Sequence, residues 1–600
     1  MLRKSSPTKS IMLLASVSAL LVGCGGGSSS SQGSVAPVPL IGVFLDSPVE
    51  GLRYITKSHQ GITNSKGEFS YLEGEQVSFY IGSSFLGSTV GATQVTPFDL
   101  QDAEPITDPS ELMDALQGGP SPFTRAINIL RLLQSVDDDQ KPENGIRISD
   151  YAIRALINHV PDYSLSIDKF SQSSAVKGVF DYLNTNQNNA EYIDLFSAYS
   201  TVSHVYRSLG IDKLVFKRGN VASRPLLIKT DTNADGVADS VVSFQYDQYG
   251  NLIREAYDHN DDGIDEVVFT WKYFPSGNVK YRKVEDHSLT SEIHFSNPNW
   301  SSFWKMADVA ERQDHPESML TIQSDGLVRR AEYDAGRDGV LDAISIETLD
   351  EFGNVIRSEY DGNASGRAGS VLLSSYDDLG RLVSWSEYDH NNLMLSSVRI
   401  VYDDINRTET EHRYSLYTAG YGDIRKTYYD ELGRITRYDI QPIKAISGSR
   451  EEYSYDEDGN LVSTLHYGGT AEYHPLYITE SYTYEAGLLR NYKKDNHYAL
   501  SVSTKTYDYS EAGLITSASK DDDADGIAEY QSHYLYDEFG NVSLYQGDYQ
   551  ADGIVDYKMS ISWEPTLTPY NGPAFHCNWE VGRDLVELYT MPARSCRYKP

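Results

Sequence analysis

From about residue 212 onward, apolar and aromatic positions alternate with polar ones in short runs, each run broken by a turn carrying glycine. Alternation with period two is the signature of strands buried on one side. The same unit returns: Tyr-Asp-x-x-Gly-(Asn/Arg)-(Leu/Val/Ile), with clear copies at Tyr246-Asp247, Tyr376-Asp377, Tyr429-Asp430, Tyr455-Asp456 and Tyr536-Asp537. Gly250 and Gly277, Gly326 and Gly353, Gly353 and Gly380, and Gly513 and Gly540 are each 27 residues apart. A fixed period of this size marks a repeat array. Each unit is expected to form a strand, a four-residue Asp-x-x-Gly turn, a second strand and a loop. The interval from Gly277 to Gly326 is only 49 residues, so a copy near Trp300–Trp304 is shortened or lost. Tyr246, Tyr376 and Tyr455 are read as packing residues.

Upstream, the pattern changes twice. Residues 40–107 alternate with glycine turns (Val43-Phe44-Leu45, Gly67-Glu68-Phe69-Ser70-Tyr71, Val77 to Ile81), which predicts a small β-sandwich. Residues 108–207 switch to helical spacing. Ser121-Pro122 is a helix start with Phe123, Ile127, Leu130 and Leu133 on one face, and Ser149 starts a second helix burying Ile153, Leu156 and Val160. Asp137, Asp138 and Asp139 between them read as a solvated acidic loop. The expected fold class is therefore mainly β: a sandwich, a small helical domain, and a long antiparallel array over 208–562, forming a spiral or an open sheet, with a cap over 563–600.

The loops opposite the Asp-x-x-Gly turns carry the chemistry. Asp231, Asn233, Asp235 and Asp239 occupy loop positions one, three, five and nine, with Gly236 at the sixth and Val237 offering its carbonyl at the seventh. Asp258, Asn260, Asp262, Gly263, Ile264 and Glu266 repeat this frame, as do Asp521, Asp523, Asp525, Gly526, Ile527 and Glu529. Looser versions are Asp334, Asp338 and Asp342, and Asp548, Asp552 and Asp556; a decayed one begins at Asp361. Calcium takes six to eight hard oxygens, and alternate side chains followed by a turn glycine point them into one concavity. Expected cofactor: structural Ca2+, bound on the order of 10⁻⁴–10⁻³ M. An EF-hand would need an acid at the twelfth position, where Val242 and Phe269 stand.

Charge agrees with this and opposes nucleic acid: 86 acidic against 51 basic residues give −35, a surface that repels phosphate backbones. With 45 Tyr against 18 Phe, the strands favour an aromatic that keeps one end wet. No phosphate-binding glycine loop, His-Glu-x-x-His helix or Gly-x-Ser-x-Gly elbow is present. The 14 histidines are scattered.

The N-terminus is a processing segment. Arg3, Lys4 and Lys9 precede an apolar stretch from Ile11 to Val22, shorter than the roughly 20 residues a membrane span needs. Cys577 and Cys596 form a lone pair that reads as a disulfide, worth about 3 kcal/mol in a chain-entropy account.

Four stretches resemble known families. Leu21-Val22-Gly23-Cys24 looks like a bacterial lipobox, which implies a signal peptide over 1–23 and lipidation of Cys24. Gly25 in the next position implies the outer membrane, with residues 24–39 as a Gly/Ser tether. Residues 40–107 are similar in pattern to carboxypeptidase-regulatory-like modules. The Tyr-Asp repeats resemble those of the RHS family, which implies a continuous spiral sheet. The acidic loops resemble thrombospondin type 3 and dockerin-like calcium loops. Together they imply a surface-displayed scaffold binding glycans or proteins; an RHS-like shell or secretion component, and an exported carbohydrate-active enzyme, are the alternatives.

Overall fold

The computed structural model describes residues 38–567 except 187–192, 218–220, 287–288, 297–316, 326, 351, 417–420, 444–446 and 471–474. Cys24, Cys577 and Cys596 lie outside the described residues.

Two small sheets open the chain. Leu40–Phe44, Glu68–Tyr71 and Gln94–Val95 form one; Gln60–Ile62, Arg53–Ile55, Gln76–Ile81 and Ser84–Val90 form the other. Their alternating residues Phe44, Phe69, Val77, Phe79 and Ile81 are buried. The core does not stop there. Ile129, Leu132 and Leu133 of the helix Pro122–Ser135, and Ala155 and Leu156 of the helix Asp150–Asn158, belong to the same apolar cluster. Sandwich and helices thus share one core and act as one cap.

Ser121 and Thr124 cap the first of these helices reciprocally, and Ser149 accepts from the Ala152 N–H at the start of the second. The helix Pro122–Ser135 is buried on nearly every side rather than on one apolar face. It sits between the sandwich and the helix Ala198–Ser208, so its polar residues need partners. Asn128 donates to the Leu165 carbonyl at 2.9 Å, Arg131 to the Phe196 carbonyl at 2.7 Å, and Gln134 to Asp46 at 3.0 Å. Val160 falls past the end of its helix and is 52% exposed, which corrects its expected burial.

From Ser223–Asp231 to Tyr557–Pro565, 25 strands pair in chain order and the last pairs with the first, so the array is a closed barrel and not an open sheet. All joints are antiparallel except one: Leu289–Phe295 runs parallel to Ser318–Asp325. Geometry requires this. Strand direction flips at every antiparallel joint, and a closed ring returns to its starting direction only after an even number of flips. An odd strand count therefore needs a parallel joint. It falls in the short Gly277–Gly326 interval, within which residues 297–316 lie outside the described residues.

The turns are built alike. In Asp247-x-x-Gly250, the Asp247 carboxylate accepts from the N–H of Tyr249 and of Asn251, both at 2.9 Å, and Gly250 takes φ of 89°. Asp350, Asp377, Asp430, Asp456 and Asp537 repeat the bond to the residue four later. Hydrogen-bonded partners share a face, so the tyrosine-bearing side is continuous around the ring. That side is the buried one: Phe244 and Tyr545 are 3% exposed, whereas Leu535 on the other side is 56% exposed. In a closed sheet the buried side is the inner one.

Candidate functional site

The acidic loops form one rim of the barrel and the Asp-x-x-Gly turns the other. The cap sits on the turn rim, where the Ser197 N–H donates to the Pro275 carbonyl and Glu143 accepts from Gln248 and Tyr249.

All six loops share one backbone frame. The first Asp accepts from the N–H of the sixth-position glycine: Asp231 from Gly236 at 2.9 Å, Asp258 from Gly263 at 2.8 Å, Asp334 from Gly339 at 3.0 Å, Asp361 from Gly366 at 2.6 Å, Asp521 from Gly526 at 2.8 Å and Asp548 from Gly553 at 2.7 Å. The fifth-position acid accepts from the seventh N–H, as Asp235 does from Val237, Asp262 from Ile264, Asp338 from Val340, Asp525 from Ile527 and Asp552 from Ile554. The ninth reaches back to the second: Asp239 accepts from Thr232, Glu266 from His259, Asp342 from Ala335, Glu529 from Asp522 and Asp556 from Tyr549. In the loop begun by Asp361, Gly369 replaces that acid.

These bonds orient the carboxylates and alter their acidity. Burial pushes the Asp258 carboxyl up, but the N–H groups of Gly263, Asn260 and Asp262 outweigh it and hold it below its ordinary value. The Thr232 hydroxyl and N–H lower Asp239. Carboxylates kept ionised in a backbone cradle suit a hard cation.

The loops differ in how far their oxygens converge. Asp521, Asp523, Asp525 and Glu529 place ligand atoms within 4.8 Å of one another, as do Asp258, Asp262 and Glu266. The loop begun by Asp231 does not group its acids in this way; there the Asn233 amide nitrogen donates to the Asp235 carboxylate at 3.1 Å, while its oxygen accepts from the Asp235 N–H at 3.0 Å. Nor do the two looser loops. Asp137, Asp138 and Asp139 of the cap also converge, but Asp138 pairs with Arg147, and burial pushes Asp137 up to about 7.

Closure brings distant loops side by side. The loops begun by Asp521 and Asp548 precede the seam, and those begun by Asp231 and Asp258 follow it, so the four stand in succession on the rim. Lys558 donates across the seam to the Ala234 carbonyl at 3.4 Å, and Lys229 bridges to Asp261 at 3.1 Å. With the loops at Asp334 and Asp361 they occupy one arc; the sequence from Leu382 to Asn496 carries no copy of the frame.

Two features escaped the sequence reading. The fourth position of every loop is left-handed without being glycine: Ala234, Asp261, Arg337, Ala364, Ala524 and Ala551 have φ between 48° and 58°. In five of the six loops the seventh-position side chain is an exposed aliphatic, with Val237 at 66% and Ile527 at 70%; Arg367 stands there in the loop begun by Asp361. The run of Ala at the fourth position was the available signal for the first, and the aliphatic repeat for the second.

Fold and loops define a capped, closed antiparallel β-repeat barrel with an acidic rim. No family model and no curated protein matches the chain. Among solved structures, a TcdB2-TccC3-Cdc42 complex aligns with 62% of this chain and 25% of its own, at 10% identity and a TM-score of 0.20. The Photorhabdus luminescens Tc holotoxin pore aligns with 57% of this chain and 20% of its own, at 12% identity and a TM-score of 0.22. A porin-like protein from Bacteroides uniformis aligns with 44% of this chain and 98% of its own, at 12% identity and a TM-score of 0.19. The chain spans about a quarter of the first of these toxin chains. At these scores no particular family is assigned.

Proposed function

We propose that the protein is a calcium-stabilised β-repeat scaffold, lipid-anchored to the outer membrane through Cys24, that binds glycans or proteins outside the cytoplasm. The observation that carries the reading is the acidic arc: six loops of one frame, four of them made consecutive by closure, on the rim opposite the cap. A cation at several neighbouring loops would pin the hairpins of the seam region and offset the repulsion among their carboxylates. Binding of the native state alone stabilises it by mass action.

The test is thermal unfolding of the full chain in millimolar calcium and in chelator. A saturable rise in Tm with calcium, lost in the combined variant Asp235→Ala, Asp262→Ala, Asp525→Ala, is expected. An unchanged Tm would reduce the loops to good turns.

One observation favours a second reading. An RHS-like shell requires a sheet that closes, and this sheet closes. That reading expects a partner molecule co-purifying inside the barrel.

A further inference from the structure

The inner face of the barrel is not uniform. Along the acidic arc it is mostly aromatic and aliphatic, with Phe244, Leu252, Trp271, Tyr333, Tyr534 and Tyr545 each less than a tenth exposed and with scattered charges such as the Arg329–Glu347 pair. On Ser447–Tyr455, Leu461–Thr470, Leu476–Glu485 and Leu488–Asn496 the same face carries charge. The register makes the patch continuous: Glu451 opposes His466, Tyr453 opposes Thr464, Thr464 opposes Glu480, Glu480 opposes Lys494, and Tyr482 opposes Tyr492.

His466 sits between two carboxylates, 3.4 Å from Glu451 and 3.5 Å from Glu480. Glu480 accepts from Tyr492 at 2.9 Å and Tyr482 at 3.2 Å and lies 3.7 Å from Lys494; Tyr453 donates to Glu451. The Tyr482 and Tyr492 rings stand 5.3 Å apart at 51°. Thr464, 2% exposed, has a hydroxyl with no hydrogen-bond partner.

Half-burying four charges is costly unless each is paired, and here each is. With the imidazole and the amine protonated, His466 and Lys494 balance the two carboxylates, and Lys505 stands beside them, opposite Tyr492 with its amine 5.5 Å from that ring's centre. With both signs intermingled, the patch has little net charge with which to select a metal ion, a phosphate or a polycation. It offers fixed donors and acceptors side by side with two phenol rings, and one buried hydroxyl left over. Hydroxyl-rich rings with apolar C–H faces match that pattern.

We propose that the inner-face patch of Glu451, Thr464, His466, Glu480, Tyr482 and Tyr492 binds a neutral oligosaccharide. The proposal rests on the scaffold reading above and names its ligand class.

The test is calorimetric titration of the full chain with hexasaccharides of the malto, cello, chito and xylo series. Saturable binding of at least one is expected. Tyr492→Phe, which keeps the ring, and Glu480→Gln should each weaken it at least tenfold, while Thr483→Ala on the outer face leaves it unchanged. Absence of binding by all four series, or binding unaffected in Tyr492→Phe, overturns the proposal. If Glu480→Gln does not fold, Tyr492→Phe decides alone. The calcium dependence of Tm, measured on the same samples, separates the two readings: a calcium shift without sugar binding sinks this inference and leaves the scaffold standing.

Discussion

The phenol of Tyr455 donates to the carbonyl of Ile435 at 2.9 Å, tying two strands where their backbones no longer pair. The same bond links Tyr246 to Pro225, Tyr273 to Leu252, Tyr509 to Leu489 and Tyr536 to Ile515, and Trp563 uses its indole N–H on Val542 in the same way. Its physical reason is strand twist. The hairpin spanning Ser223–Asp231 and Ser240–Tyr246 pairs only from Thr230–Ser240 to Leu227–Ser243, and diverges toward the turn rim. The hydroxyl closes the open end. The recurring tyrosine of the repeat is therefore a staple between strands as well as a core residue.

Replacing Tyr455 or Tyr509 by Phe keeps the ring and removes the staple. Each substitution should cost about 0.5–1.5 kcal/mol, the net worth of one hydrogen bond. Chemical denaturation of the single and double variants measures it, and because the sites lie several strands apart the two losses should add. A cost near zero would mean that packing alone holds the hairpin ends.

The left-handed fourth positions are strained for residues with a Cβ. Ala524→Gly and Ala551→Gly should raise stability by up to about 1 kcal/mol, the relief of strain exceeding the entropy that glycine loses on folding. Gly526→Ala, at φ of 94°, should lower it by a similar amount or more. Tm in chelator reads both, free of any metal contribution.

Asp194 lies buried in the cap beside Ser276 of a barrel turn, and burial pushes its carboxyl up to about 7 against the smaller opposing effects of Ser276 and Arg131. A carboxyl with a raised folded pKa contributes stability that is complete below its unfolded value near 4 and lost as pH rises through about 7. Asp194→Asn should therefore raise Tm most at pH 8, less at pH 5 and least below pH 4. Equal effects at all three would place the carboxylate in a solvated setting.

His466 has the opposite chemistry and the same direction. The flanking carboxylates of Glu451 and Glu480 raise its imidazole to about 9. Its contribution is full below its unfolded value near 6.5 and fades as pH rises to about 9. The alkaline decline in Tm between those values should be shallower in His466→Gln than in the native chain.

Much of this molecule is legible along the chain because it is local. An Asp carboxylate that reaches the N–H two and four residues on, a glycine that takes a positive φ, and Ser121 and Ser149 capping their helices all lie within one turn of sequence. Period-two alternation placed the strands, and the 49-residue gap coincides with the one parallel joint. The loop frame was readable for the same reason, since its bonds span seven residues or fewer.

What local pattern could not supply is whatever joins distant residues. Closure pairs Arg224 with Glu564, 340 residues away at 2.7 Å, and makes neighbours of loops from opposite ends of the array. It depends on the summed twist and stagger of 25 strands, a quantity no single repeat contains. The shared core of sandwich and helices, the burial of a helix on nearly every side, and the charged patch around His466 arise likewise from packing between elements, where a side chain's surroundings are set by residues far along the chain.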